Sequence, residues 1–596
     1  MKPHTMPATV LLLGKAALLS TTALVWMPNG AGAQTAAPVG VEDESESDGS
    51  DTLVITGTRR DAILTEIEPE LVLSAEEITA YGVSSIAELM QVLEPQTRSG
   101  RGRDAGPPVI LVNGRRITGF REMRNYPPES IERMEILPEE AALAYGYRAD
   151  QRVVNFVLKS PYQAITTEGE LHVPTAGDPL SGEIGGTILR IEGRKRWSVD
   201  LKYEPQAPLF ESDRDITREA GTYPYSLTDN IQSATAGAEI DPALSALAGG
   251  AVTVAAVPPG AATAAPDLAG FIAGANAASV TDTGAWRTLI PESGEWDLGG
   301  SYIVPVTQAI DLTLSGSVTR NDSHSVNGLA PVLLTLPAGN PWSPFADDVL
   351  LSRYLGEDAV LDRDSESTAT EVAALLGGRS NGWNWTITGK GSVSDSDSTT
   401  ERTVDTAAAQ TRLTVGDESF NPFAPLGSSV TVTTDEASSR TTTLSLDGTA
   451  NGQFIELPAG VISTTLQASA DRLDLESRSV ISGIGRDTDL GRTTLSTQVN
   501  TDIPIIDGDV ITAGIGELGA NINAGISDLS DFGTLSVIGG GINWRPVKPL
   551  QIILSTTIED GAPTVQQLGN AIVLTPNQLV YDYVNGETVE VTSVTG

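Results

Sequence analysis

Residues 109–117 read Val-Ile-Leu-Val-Asn-Gly-Arg-Arg-Ile, residues 126–137 Tyr-Pro-Pro-Glu-Ser-Ile-Glu-Arg-Met-Glu-Ile-Leu, residues 144–150 Ala-Tyr-Gly-Tyr-Arg-Ala-Asp, and residues 153–159 Val-Val-Asn-Phe-Val-Leu-Lys. Three short runs rich in Val and Ile are separated by Asn-Gly, Pro-Pro and Tyr-Gly. β-branched runs favour strands, and these dipeptides force turns. The stretch therefore predicts a small, tightly turned α+β unit. Just upstream, residues 84–94 place Ile86, Leu89, Met90 and Leu93 at helical spacing after a serine cap, which predicts a short packing helix.

This order of elements resembles the plug domain of TonB-dependent outer-membrane receptors. The resemblance rests on Asn113-Gly114 closing a strand, on Ile131-Glu132-Arg133 within the next run, on Tyr145-Gly146, and on the closing strand around Asn155. It spans about fifty residues. The family carries Gly-Gly before the last strand where this chain has Asp150-Gln151-Arg152, so the turn there must be built without flexible glycines.

The resemblance implies an antiparallel transmembrane β-barrel with an N-terminal α+β plug. It also implies TonB as a periplasmic partner, outer-membrane lipid as surroundings, and a bulky solute as cargo, such as an iron chelate, an oligosaccharide or a cobalamin-like molecule. Residues 52–57, Thr52-Leu53-Val54-Ile55-Thr56-Gly57, resemble the TonB box. Physically they are an extended β-prone segment on a flexible arm, suited to adding a strand to a partner's sheet edge. The competing reading is an ordinary first strand of the plug. Arg98, Arg101 and Arg103 are candidate substrate contacts at the plug apex.

The N-terminus supports export independently. An apolar tract over residues 8–25 follows Lys2, is interrupted by Lys15, and precedes Ala31-Gly32-Ala33, which predicts a signal peptide over 1–33 rather than a membrane anchor. Residues 34–51 read as an acidic disordered linker, 52–60 as the box-like segment, 61–160 as the plug and 161–596 as barrel. No later segment offers about 18 consecutive apolar residues, so a membrane location requires a β-barrel.

Charge narrows the partners. The chain carries a net charge of −40. Residues 52–160 are nearly balanced, with 13 bases and 16 acids, whereas residues from 161 onward hold 22 bases and 55 acids. A nucleic-acid partner is excluded, because phosphate binding needs a basic footprint. Some plug arginines, including Arg115, Arg116, Arg121, Arg124, Arg148 and Arg152, are expected to face acids lining the barrel.

Beyond Pro161 the pattern alternates, as in residues 310–319. Thirteen strands are expected, near 166, 184, 197, 294, 309, 368, 383, 440, 461, 489, 509, 534 and 550. Tight turns at 193–196, 305–308, 381–382, 504–508 and 545–549 alternate with long polar stretches at 206–293, 320–367 and 395–438. Short turns at one end and long loops at the other are the habit of outer-membrane barrels. Receptors of this kind have about 22 strands, so the resemblance implies the N-terminal portion of a longer protein. Within the longest loop, residues 233–281 are rich in Ala, Gly, Val and Pro, and are expected to form a mobile surface loop.

No catalytic chemistry emerges. There are no cysteines, and the three histidines, His4, His172 and His324, are too scattered for a catalytic or metal motif. Residues 514–519 match a dinucleotide-type glycine pattern, but residues 521–525 alternate like a strand instead of opening a helix. The carboxylate clusters at 347–348, 362–366 and 395–397 lack the ligand spacing of a calcium loop. No cofactor, metal or enzymatic function is expected. The alternative to a transporter is a secreted or surface β-rich binding or adhesion protein.

Overall fold

A computed structural model describes residues 69–99, 107–145, 147, 151–177, 179–214, 216, 223–357, 359–506, 515–547 and 550–595. The signal-like, linker and box-like segments lie outside the described residues, as do Arg101, Arg103, Gly146 and Arg148.

A five-stranded sheet takes its first strand, β1 (Leu71–Ser74), from upstream of the quoted stretch, and the stretch itself supplies the other four, β2 (Val109–Val112), β3 (Arg115–Arg116), β4 (Ile131–Leu137) and β5 (Val153–Leu158). Its order is β1-β4-β5-β2-β3, with only β2 and β5 parallel. All six residues of β5 are buried, because the strand is covered on both faces. One face packs Val154, Phe156 and Met134 against Ile86 and Leu89 of the expected helix, observed as Ile86–Val92. Ser85 caps that helix, its Oγ accepting from the Glu88 N–H at 3.2 Å. The other face packs Val153 with Leu111, Leu137 and Tyr145. Each such aliphatic side chain, fully buried, contributes roughly 1.5–3 kcal/mol.

The missing Gly-Gly is replaced by side-chain anchors. Gln151 Nε2 donates to the Pro107 carbonyl at 2.9 Å, and Arg152 Nη1 donates to the Gln96 carbonyl at 2.7 Å. Arg152 also pairs with Glu70 and Glu139, so it serves the plug itself and not the barrel.

Thirteen strands form the second sheet, each paired antiparallel with its neighbours in sequence. They are β6 (Tyr162–His172), β7 (Ser181–Glu192), β8 (Lys195–Gln206), β9 (Glu292–Pro305), β10 (Ile310–Leu329), β11 (Val360–Ser380), β12 (Trp383–Asp405), β13 (Thr431–Leu457), β14 (Gly460–Ile481), β15 (Ile484–Ile506), β16 (Glu517–Leu529), β17 (Gly533–Val547) and β18 (Leu550–Glu559). Twelve of the expected strands fall on or beside one of these; the one expected near 509 lies outside the described residues, and the corresponding strand starts at Glu517. At the end nearest the plug, Asn381 and Gly382 sit at φ 53° and 83° between Ser380 and Trp383. Two positive φ angles in succession make the tight turn whose twist suits a hairpin.

Alternation gives this wall two faces. One is apolar and small: cross-strand register aligns Ile188, Val199, Gly300, Gly316, Val372, Gly391 and Leu444 in one row. Aromatic residues bracket this band. Trp197 faces Tyr302 near the tight turns, and Tyr203 stacks on Trp296 with ring centroids 4.2 Å apart. Six residues along β8 separate the two levels, about 20 Å at a strand's rise. Aromatics are only 5% of the chain, yet these four stand at the two levels where an interfacial girdle belongs. The opposite face carries Ser198, Asp200, Asp297 and Thr449, and it meets the plug.

Two expectations about loops are corrected. The long polar stretches 320–367 and 395–438 are shorter as loops than expected, since β10 runs to Leu329, β11 starts at Val360, β12 runs to Asp405 and β13 starts at Thr431. Ser, Thr and Asp residues there read as loop, yet their backbones pair in full register. Residues 233–281 are also not a loose loop. With residues 330–359 and 406–430 they fold into one cap around a shared core that includes Ile231, Leu244, Phe271, Leu334, Leu351 and Phe423. Strands Val254–Ala256, Asn230–Ser233, Val349–Tyr354 and Pro331–Leu336 form its sheet, drawn from two of the three loops.

Candidate functional site

The plug motif residues converge on one buried polar network. Asn113 and Gly114 take φ 50° and 70° in the turn between β2 and β3, a conformation Asn and Gly adopt at least cost. The Gly114 N–H donates to Asn155 Oδ1 at 2.8 Å, and Asn155 Nδ2 donates to Glu135 Oε2 at 2.8 Å. Arg133 Nε then donates to Glu135 Oε1 at 2.7 Å. Asn113 closes the ring, accepting from the Leu158 N–H at 2.9 Å. Asn155 is fully buried, so each bond lost would leave a donor or acceptor without water, at about 1–3 kcal/mol.

The other predicted plug residues take simpler roles. Ile131 and Tyr145 are core residues, and Glu132 is exposed, 3.8 Å from Arg133. Glu135, the hub of the network, escaped the motif reading although it ends the same Ile-Glu-Arg-Met-Glu run. Its signal was the alternation that puts it opposite Asn155 on the neighbouring strand. Arg98 is largely exposed and pairs with Glu94 at 3.4 Å.

The plug meets the wall through charge. Arg121 and Arg124 both hold Asp297, at 2.9 and 2.6 Å. Arg116 holds Asp447 at 3.1 Å and touches Thr449, while Arg115 pairs with Asp311. Arg196 reverses the polarity: a wall arginine reaches Glu122 of the plug, both nearly inaccessible. Hydroxyls and amides fill the remainder. Ser315 donates to Thr118 at 2.8 Å, and Asn125 donates to Asp200 at 2.8 Å. Among the described residues, the wall adds Leu189 and Ile191 of β7 to the plug core, with Tyr162 of β6 packed against that core. A narrow gap beside Arg121 and Arg124 is lined by Asp200, Asp297 and Glu371.

The cap is stitched across its three loops. Arg353 Nη1 donates to Asp229 Oδ2 at 3.2 Å and to the carbonyls of Pro422 and Ala424 at 3.1 Å, so one buried guanidinium binds a partner from each of the other two loops. Asp241 caps the helix Pro242–Ala248 through Oδ1 and accepts from the Ala346 N–H through Oδ2 at 2.8 Å. Gln410 pairs with the Thr335 backbone through both amide atoms, each at 2.8 Å. Burial pushes the Asp229 carboxyl up to about 6 even though Arg353 opposes the shift. At the surface, hydrogen bonds from Ser419 and Arg412 hold Asp417 down at about 2.

Among the described residues, no three His, Asp or Glu side chains converge as a metal site, and no helix is long and apolar enough to cross a membrane. The fold is the one the plug resemblance implies: a small α+β plug set against an antiparallel wall whose far face is apolar.

No family model matches the chain, and no curated protein matches it. Among solved structures it is similar to the siderophore receptor PirA from Pseudomonas aeruginosa, at 12% identity and a TM-score of 0.43, over 87% of this chain and 67% of that one. It is also similar to PirA from Acinetobacter baumannii, at 13% identity and a TM-score of 0.39, over 80% of this chain and 59% of that one. A point mutant of the ferric enterobactin receptor PfeA from Pseudomonas aeruginosa gives 12% identity and a TM-score of 0.44, over 86% of this chain and 65% of that one. The chain thus spans about two thirds or less of the length of these structures.

Proposed function

We propose that this protein is an outer-membrane receptor that imports a bulky solute, with energy delivered by TonB pulling on residues 52–57. The observation that carries the reading is the contrast between the wall's two faces. The far face presents an apolar and glycine band between aromatic levels, as lipid requires. The plug-facing side presents hydroxyls, amides and ion pairs.

A polar interface is what a removable plug needs. Water can take over each hydrogen bond as the plug shifts, so separation forfeits little compared with opening an apolar core. Pulling on residues 52–57, which precede the plug in the sequence, would then break these contacts one after another. The surface adhesin alternative is disfavoured by the far face, since a secreted β-rich protein would leave that apolar band in water.

The test is Val54→Pro in the full-length protein. Proline removes a strand donor and blocks pairing with a partner's sheet edge. The expected result is normal outer-membrane fractionation with loss of solute uptake. A protein that extracts with salt instead of detergent would reject the barrel, and unchanged uptake would reject the role of residues 52–57.

A further inference from the structure

Directly beneath the cap, the lumenal face of β11 and β12 carries a cation with no carboxylate partner among the described residues. Arg363 donates from Nη1 to Thr575 Oγ1 at 2.7 Å, while its Nε is buried without an acceptor. Among the described residues no carboxylate pairs with it, whereas Arg116, Arg196, Arg353 and Arg402 each sit against Asp or Glu. In a chain of net charge −40, a guanidinium with a buried Nε and no carboxylate beside it needs a physical reason.

A second unmatched donor lies one rung away. Arg363 is in register with Thr400, and Ser365 with Ser398, so Arg363, Ser398 and Thr400 share the lumenal face. Ser398 is 9% exposed and its Oγ has no partner. A guanidinium N–H and a hydroxyl, both buried and unmatched at diagonal positions of one face, are unfavourable unless something brings acceptors.

The position suits a solute entering from outside. Thr386, the β12 residue that Arg116 of the plug approaches, lies fourteen residues from Thr400 along one strand, about 46 Å at a strand's rise. Leu361 and Val404, just beyond the site on the same strands, belong to the cap core. The pair therefore stands far outward of the plug and under the roof.

We propose that Arg363 and the Ser398 hydroxyl form a receiving site for an oxyanion of the incoming solute, with Thr575 holding the guanidinium when the site is empty. That the anion belongs to a solute in transit rests on the transport reading; its binding does not. A neutral hydroxyl is a weak occupant for this position. An oxyanion makes charge-assisted bonds roughly twice as strong, and it matches the guanidinium fork in two places, so it displaces Thr575.

The test is thermal unfolding of the purified full-length protein, titrated with citrate and separately with inorganic phosphate at constant ionic strength. The wild type should show a saturable rise in Tm, larger for citrate if the site takes carboxylates and larger for phosphate if it takes phosphates. Arg363→Gln should lose the rise, and Arg363→Lys should keep the fold and respond only at higher anion concentration. Thr575→Val should respond at several-fold lower concentration. Thr575→Asp should fill the site from within and abolish the response. No rise in the wild type, an unchanged rise in Arg363→Gln, or a wild-type response in Thr575→Asp would each overturn the proposal. Because this readout needs no uptake, it stands or falls separately from the Val54→Pro result.

Discussion

The plug and the cap both sit against the same strands, yet they are held by opposite means. The plug meets the wall through Arg121, Arg124 and Arg116 on Asp297 and Asp447, with hydroxyls between. The cap is held by an apolar core and by one buried guanidinium that reaches all three loops. Ion pairs and hydrogen bonds can be replaced one at a time by bonds to water as two surfaces part, whereas a shared apolar core unfolds as a unit. The plug is therefore built to part from its neighbour, and the cap is built not to come apart.

Breaking the cap should have the largest effect. Arg353→Met leaves Asp229 buried and unpaired, at an expected cost of about 3–5 kcal/mol. Limited proteolysis should then cut residues 230–280 early while the plug stays protected. The double variant with Asp229→Leu should recover most of the loss, since removing both charges removes the desolvation problem. Recovery of protection in the single variant would show that the loops do not depend on the clasp.

Acid should sharpen the contrast. Asp229 titrates at about 6 in the folded cap against an ordinary value of 3.8, so the folded form binds its proton more readily than the unfolded form. Cap stability should rise as pH falls from 7 through 6, and reach its full gain, up to about 3 kcal/mol, below about 4. Hydrogen exchange of the cap at pH 7 and pH 5 reads this directly, and Asp229→Asn should flatten it.

Loosening the plug should have the smallest effect. Arg116→Gln removes a partly buried charge-assisted bond to Asp447, worth about 1.5–3 kcal/mol at most. Exchange should quicken in the plug strands alone. If the cap loosened equally, the two regions would not be independent.

The legibility of the sequence divides along the same line. The Asn113-Gly114 turn, the Ser85-capped helix and twelve of the thirteen wall strands were readable, because turn chemistry, capping and alternation are local signals. The Glu135–Asn155 contact was half readable, through strand register. The cap was not, because Ile231, Leu334, Leu351 and Phe423 come from three distant loops with no shared period, and small Ala and Gly residues disguise a packed region as low complexity. Arg353, Arg363 and Ser398 carry no sequence signal at all, since what distinguishes them is who does or does not meet them across forty residues or more.

The roof is also unevenly supported. Its three loops spring from β8 to β13, whereas β14 joins β15 through Ser482 and Gly483 alone, and β16 joins β17 in three residues. The cap is thus anchored along β8 to β13, while on the β14 and β15 side a separate segment covers the strands: Ser477 donates to the Gly569 carbonyl at 2.6 Å and Arg492 to the Pro563 carbonyl at 2.8 Å. A force applied to the cap passes down six strands, the same six whose inner faces carry Asp297, Asp311 and Asp447, the plug's ionic footholds.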